Sequence, residues 1–430
     1  MLVAAGIIIL VLLLILILKS NFLPGNIMAL VPLIIAPVFG LGFTDTLKMA
    51  HLGIMDVSAV VVLFIFASIY FGVMSDAGMF EPLIGGLMRI KWIGKSVFSV
   101  VCLAAIISMV AHIDGQGLTT LIVTVPPMLI VFDKLGISRT LLGMVFVTIT
   151  GSMNILPWGG PVARAATVVD MDVMVIFKKL IPAMTLAIVL SYIALYIESR
   201  REQKLGLFKP SDDMNFGSMK ISEEAMALRR PRLFWFNIAL TVIILVLLFI
   251  GLPSHLAFIV GCAIALPVNY HSLKEQDKRV KAHAGPVMMN AYTIIGAGIM
   301  LGIMEGGEIF AALGNGFASL IPDAFDQYIH LIFGILITPL SFLLNSDAML
   351  YGIMPVVVEI GKDVGISTTK IVSMFVVGRV MGTGLCLTTP SVYLGLGMMN
   401  ITYKDAFKRA AKWLLLLGTI LVFFVAFTVS

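Results

Sequence analysis

A chain of 430 residues that is 60% hydrophobic and 12% charged has too little polar surface to cover a water-facing globule, since soluble domains run near 25% charged. The composition excludes a soluble enzyme or binding domain and calls for lipid-embedded helices of roughly 20 apolar residues, which satisfy their own backbone. The net charge of +5 points to no nucleic-acid partner, and in a membrane chain the placement of Lys and Arg carries the information.

From the N-terminus, residues 2–18 are apolar and uncharged. They lack the basic leading region and small-residue cleavage site of a signal peptide and read as a first membrane span. Further spans are predicted at 27–43 and 57–80. Between Val97 and Phe132 lie two apolar arms around His112-Ile113-Asp114-Gly115-Gln116-Gly117. Each arm holds about 15 to 17 residues, at or below spanning length. An acid and two glycines at the junction therefore predict a re-entrant hairpin whose tip is buried in protein or faces a watery cavity. Spans at 139–154 and 179–197 complete the first half. Residues 198–232 form a polar linker with eight Lys or Arg, too short for a domain. The second half gives spans at 233–252, 256–270, 286–304, 368–382 and 412–429. Its own hairpin runs from Tyr328 to Val358, with Asn345-Ser346-Asp347 at the tip.

The two halves echo each other. Leu23-Pro24 returns as Leu252-Pro253, Gly136-Ile137-Ser138 as Gly365-Ile366-Ser367, Pro126 as Pro355 and Pro161 as Pro390, all at an offset of 229. Pro37-Val38 returns as Pro267-Val268 and Gly72-Val73-Met74 as Gly302-Ile303-Met304, both at an offset of 230. An odd number of spans per half makes the repeats run in opposite directions. Threading the chain with its N-terminus outside puts 22 of the 29 Lys and Arg on the cytoplasmic side and 5 outside, with Arg164 and Arg379 at membrane depth. The positive-inside bias thus favours both termini outside. Were both hairpins to span fully, the halves would be parallel and the charges less cleanly sorted. The expected fold is an all-α polytopic membrane protein of two inverted repeats, 1–197 and 233–430, around the cytoplasmic linker 198–232. Each repeat has five transmembrane helices plus a re-entrant hairpin, with broken helices at the midplane.

Those breaks are Asn154-Ile155-Leu156-Pro157-Trp158-Gly159-Gly160-Pro161 and Gly382-Thr383-Gly384-Leu385-Cys386-Leu387-Thr388-Thr389-Pro390-Ser391. Pro removes a donor and Gly loosens the backbone, so each should interrupt a helix. Half-helix starts then attract anions, and freed carbonyls with side-chain oxygens bind small cations. Paired breaks near the midplane of an inverted repeat point to a transporter's site. Cys102, Cys262 and Cys386 have no metal or redox spacing and read as small core residues. The 27 methionines read as soft packing. No P-loop, nucleophile elbow or metalloprotease motif is present.

The run from Asn154 to Thr167 closely resembles the signature of the citrate–divalent-metal:proton symporters, within the wider ion-transporter superfamily that includes divalent-anion:sodium symporters. Asp114 to Thr120 is similar to that family's first hairpin tip, and Phe342 to Pro355 to its second. The resemblance extends over essentially the whole chain. The family carries a second acid where this chain has Gln116 and a neutral Gln where it has Arg379. Its last motif holds a His and a Ser-Pro-Leu-Val-Pro-Ser run that differs from 382–391 here. One acid fewer and one base more make the site more positive, which leaves room for a free carboxylate in place of a metal complex. The resemblance implies uptake of citrate or a related carboxylate, with or without magnesium or calcium, by proton or sodium symport. It further implies an elevator mechanism and a homodimer in the inner (plasma) membrane, surrounded by lipid. No resident cofactor is expected. An inorganic-ion carrier or sodium/proton antiporter on the same scaffold is the alternative.

Residue by residue, Arg164 follows the first break. Its guanidinium fork suits a substrate carboxylate, the favoured reading, with an ion pair to Asp170 or Asp172 as the alternative. Arg379 either joins the substrate site or snorkels to the cytoplasmic surface. Asp114 and Asp347 are candidate coupling-ion carriers that could instead cap the following half-helices. His112 is a candidate proton relay or a hydrogen-bonded packing residue. Gln116, Thr119, Thr120, Asn154, Asn345, Ser346, Thr388, Thr389 and Ser391 offer neutral oxygens and donors. Gly159 and Gly160 open the half-helix start, and Trp158 walls the site or fills space.

Overall fold

A computed structural model describes residues 1–19, 22–80, 82, 93–210, 223–318, 328–387 and 389–429. Among these every regular element is helical. The first half comprises α1 (Leu2–Lys19), α2 (Pro24–Val38), α3 (Phe43–Asp76), α4 (Val97–Ala111), α5 (Gly117–Lys134), α6 (Arg139–Met153), α7 (Gly160–Val168) and α8 (Val173–Gln203). After the linker come α9 (Phe234–Phe249), α10 (Ser254–Asn269), α11 (Leu273–Gly306), α12 (Ile309–Ala318), α13 (Ile329–Leu340), α14 (Met354–Asp363), α15 (Thr368–Gly382), α16 (Pro390–Met399) and α17 (Tyr403–Thr428). Hairpin, broken helix and long closing helix thus occur in the same order twice.

Seven described helical segments are long and apolar enough to cross a membrane. They include both arms of the first hairpin, 18 residues each. The first arm is longer than the apolar count predicts because the 3-10 turn His112–Asp114 extends it. The span expected at 27–43 ends earlier, at Val38, because Gly40 turns the chain at φ +101°. α3 and α11 begin well before their apolar windows at 57 and 286. Turns bearing Asp45, Lys48 and Asp56, or Lys274 to Lys281, stay helical beyond the apolar window.

The direction of the repeat is visible at two seams. Met49 and Gly53 of α3 lie against Gly302, Val57 lies against Gly298, and Gly72 lies against His283, so α3 and α11 run antiparallel. Val147 of α6 meets Gly384, while Gly151 meets Val380 and Met381, so the two broken helices also run antiparallel. Equivalent helices pointing opposite ways are what inverted repeats require. Parallel halves, the alternative left by the span count, would give the reverse.

Two helix groups result. α2, α3, α10 and α11 pack together, with α9 against α10. α4, α5, α6 and α8 pack among themselves, and α13, α15 and α17 join them through α6 and α8. The second group is tied where α8 and α17 meet. There Glu198, nearly buried, accepts from Arg409, Lys412 and Trp413, and Glu202 from Arg409 and the Ser138 N–H. Caps repeat as well. Asp172 accepts from the Met174 N–H at the start of α8, and Thr402 from the Asp405 N–H at the start of α17. α7 and the first hairpin tip touch α3, and α7 also touches α11. The first tip and α7 therefore lie between the two groups, and the second break lies against α6, α15 and α17 of the second.

Candidate functional site

The first tip is built by local backbone chemistry. Gly115 at φ +72° reverses the chain after the 3-10 turn. The Asp114 carboxylate accepts from the Gln116 N–H at 2.8 Å and so bonds the backbone just before α5, the local role expected of such a side chain. His112 is fully buried. One ring nitrogen lies 2.7 Å from Thr120 Oγ1 and the other 3.2 Å from Asn154 Oδ1. Trp158 donates from Nε1 to the Ile113 carbonyl at 2.7 Å, and its ring packs on Phe71 and Phe258. Tip and first break are thus laced together at two points. Gln116 reaches across to Ser68 of α3, donating at 3.2 Å. Thr119 is half-buried at the start of α5.

The first break runs from Asn154 to Gly159, and Gly159 precedes the half-helix α7 in extended backbone. A Cβ at Gly159 would lie 2.8 Å from the Asn154 carbonyl oxygen. A Cβ at Gly160 would lie 2.7 Å from a terminal nitrogen of Arg164, so its absence makes room for the guanidinium. Arg164 donates from Nε to Asp347 Oδ1 at 2.7 Å and from Nη2 to Asn290 Oδ1 at 3.3 Å. The ion pair anticipated with Asp170 or Asp172 is therefore not the one that forms. Asp172 caps α8, Asp170 turns the chain at φ +46°, and the acid that meets Arg164 comes from the other repeat.

At the second tip Asn345 Oδ1 accepts from the Ala348 N–H at 2.9 Å. Ser346 and Asp347 are half-buried, and a π-turn, Ala348–Ile353, leads into α14. Such bulges commonly mark functional sites. The second break is tied to this tip twice. The Leu387 N–H donates to the Phe342 carbonyl at 2.8 Å, and the Cys386 thiol donates to the Leu344 carbonyl at 3.3 Å. Arg379 is 1% exposed and does not snorkel. It lies in the last turn of α15, buried by the helices packed around that turn, and its Nη1 turns back to Thr383 Oγ1 at 3.1 Å while its Nε has no hydrogen-bond partner. It lies within electrostatic range of Arg164 and Asp347. Ser391, Asn154, Thr383 and Gly117 share a cavity of about 60 Å³ between the first tip and the two breaks. Thr389 precedes α16 and is half-buried, and Thr388 lies outside the described residues.

The tertiary structure thus gathers Arg164, Asp347 and Arg379 into one charged cluster, and His112, Thr120, Asn154, Trp158 and Gln116 into a mostly neutral one. Asn290 and Ser68 complete these contacts and were not singled out in the sequence. Asn290 could have been found as a polar residue inside the apolar 286–304 stretch, whereas Ser68 gives no such signal. Among the described residues no group of three His, Cys, Asp or Glu could hold a metal ion.

Two hairpin tips facing two broken helices, in antiparallel halves, define a carrier of the ion-transporter fold. The Alcanivorax borkumensis YdaH transporter, whose crystal structure shows an unusual topology, matches this fold with a TM-score of 0.59 at 14% identity, covering 90% of this chain and 87% of that one. A citrate transporter family model matches residues 8–378, and the chain belongs to that family. A citrate transporter of Bacillus subtilis (strain 168) is 34% identical over 92% of this chain and 91% of its own length. A Mg(2+)/citrate complex secondary transporter of the same organism is 30% identical over 90% and 89%. The family is one of transporters, not enzymes.

Proposed function

We propose that this protein takes up citrate or a closely related small carboxylate by secondary active transport, free or complexed with magnesium or calcium. The observation that carries the reading is the cluster at the second tip. Two guanidiniums, Arg164 and Arg379, are set into membrane-embedded protein near one neighbouring carboxylate among the described residues, Asp347. Buried intramembrane charge of this kind is expensive and usually functional, and the excess of positive charge suits an anion. It gives no support to the alternative of a cation antiporter. The names of the two relatives favour citrate, one of them as its magnesium complex.

The transport cycle would be driven by a proton or sodium gradient. The residue sets around Asp114 and Asp347 are the candidate coupling sites, with His112 buttressing the first. The substrate would lie among Arg164, Arg379, Asn154, Gln116, Thr119, Thr120, Asn345, Ser346, Thr388, Thr389 and Ser391, with the Gly159–Gly160 backbone beneath. Two helix groups, joined by the Gln116–Ser68 and Arg164–Asn290 contacts and by the Trp158 ring on Phe71 and Phe258, are consistent with an elevator in which the group carrying both tips moves as one. A homodimer in the inner (plasma) membrane, with both termini outside and residues 198–232 cytoplasmic between the repeats 1–197 and 233–430, completes the proposal.

Purified protein in liposomes tests it. Labelled citrate, alone and with magnesium or calcium, should accumulate under an imposed proton or sodium gradient without ATP. Uptake that ignores both gradients would reduce the protein to a uniporter or channel, and failure to bind or move any small carboxylate would overturn the reading.

A further inference from the structure

Arg164 is already engaged within the protein. Its pair with Asp347 is 12% and 13% exposed at the two side chains and joins α7, the second tip and, through Asn290, α11. These segments are distant in sequence, and two of them carry the interruptions on which the site is built. Among the described residues the groups that face Asp347 are few. Arg164 meets it from α7, Arg379 lies within range on α15, and the Tyr351 phenol lies on the adjoining π-turn. α1, which also packs on that turn, is apolar up to Lys19 at its end. α14 carries its charges, Glu359, Lys362 and Asp363, at its far end.

One guanidinium fork cannot pair with two carboxylates, and the second guanidinium, Arg379, turns its Nη1 to Thr383 and forms no ion pair with Asp347. If a substrate carboxylate takes Arg164, Asp347 is left beside a second anion in a site largely closed to water. Two carboxylates sharing such a site do not both stay ionised. A sodium ion placed there would need several oxygen ligands and would stand near two guanidiniums. The neighbouring Asn345 oxygen is also already bonded to the Ala348 N–H. A proton has neither requirement.

We propose that Asp347 is an internal stand-in for the substrate's carboxylate, holding Arg164 in the empty carrier and taking up one proton when substrate displaces it. The inference rests on the carboxylate-carrier reading and adds the route by which binding and proton uptake are coupled. The step balances. The Arg164–Asp347 pair, one substrate carboxylate and one proton from the side to which the site is open become an Arg164–substrate pair and a neutral Asp347 carboxylic acid. For that carboxylate the charge of the site is the same empty and loaded, so loading adds no charge to carry through the low-dielectric interior. Release reverses the exchange, and Arg164 recaptures Asp347 as the proton leaves.

Calorimetry of the full chain in detergent, with citrate alone and with citrate plus magnesium, tests this in buffers of different ionisation enthalpy. Wild-type protein should take up about one proton per substrate bound beyond any that citrate itself gains. Its affinity should fall about tenfold per pH unit where citrate no longer titrates. Asp347→Gln would change length as well as charge, so Asp347→Asn is the variant of choice. It should lose that proton and the pH slope while binding citrate as tightly or more tightly, because the internal competitor is gone. Asp347→Glu should restore both. The wild-type proton count decides the matter even if Asp347→Asn does not fold. Citrate binding by the wild type with no proton uptake, whether sodium-dependent or not, would mean that Asp347 stays ionised and overturns the proposal. No binding of citrate in either form would instead overturn the carboxylate reading beneath it.

Discussion

α3 and α11 cross where Gly298 and Gly302 of one helix face Gly53 of the other, and Gly302→Ala tests how tightly that seam is closed. A Cβ on Gly302 would lie 2.3 Å from the Met49 carbonyl oxygen and 2.8 Å from Gly53 Cα, against 3.4 Å or more for ordinary contact. Both obstacles are backbone, so α3 has to retreat by about 1 Å, a gap that forfeits a quarter to a half of each dispersion well along the seam. In lipid there is no hydrophobic drive to close it again, because association rests on packing itself. Overpacking of this kind costs about 1–3 kcal/mol. Gly285 lies on the same helix, and a Cβ there meets nothing within 4 Å, so Gly285→Ala should gain about 0.5–1 kcal/mol from backbone entropy alone. At about 2 °C per kcal/mol for a large chain, thermal unfolding in detergent should drop by roughly 2–6 °C for Gly302→Ala and hold or rise slightly for Gly285→Ala. Equal melting of Gly302→Ala and wild type, or an equal fall in both variants, would refute the reasoning from close backbone approach.

Other consequences are as direct. Arg164→Lys keeps the charge but loses the planar fork that meets Asp347 and Asn290, so citrate affinity by calorimetry should weaken by roughly ten- to a hundredfold, on the order of 1.5–3 kcal/mol; unchanged affinity would remove Arg164 from the substrate site. Glu198→Ala strips the acceptor shared by Arg201, Arg409, Lys412 and Trp413 and should lower stability by about 1–3 kcal/mol, read as a lower Tm. A cysteine placed at the exposed Lys204 should resist a membrane-impermeant maleimide in intact cells and react after lysis. Background is low, since all three native cysteines are buried; efficient labelling in intact cells would reverse the proposed orientation.

The sequence by itself determined the solvent, the helical class, the duplication and the four interruptions. Each of these is written in local chemistry. Apolar runs set where helices can lie in lipid, Gly and Pro set where they cannot continue, and a constant offset of 229 to 230 marks the repeat. The local roles of Asp114 before α5 and of Gly160 beneath Arg164 follow from the same short-range rules. Span ends were legible only to within the apolar window, because helices such as α3 and α11 continue past it on charged turns that hydropathy does not score.

Only the tertiary structure decided the partners. The pattern around Arg164 suggested a substrate carboxylate and offered, as the alternative, an ion pair with Asp170 or Asp172, six and eight residues away in sequence. The guanidinium instead finds Asp347, 183 residues on, because antiparallel halves bring the second tip against the helix that follows the first break. Arg379 reads from sequence as a residue able to reach the surface, and packing of α15 against α13, α17 and α6 buries it instead. Such pairings depend on which helix faces meet across the seam between two repeats, and that is fixed by the packing of small residues such as Gly53, Gly298 and Gly302, whose spacing does not state which helix they will touch.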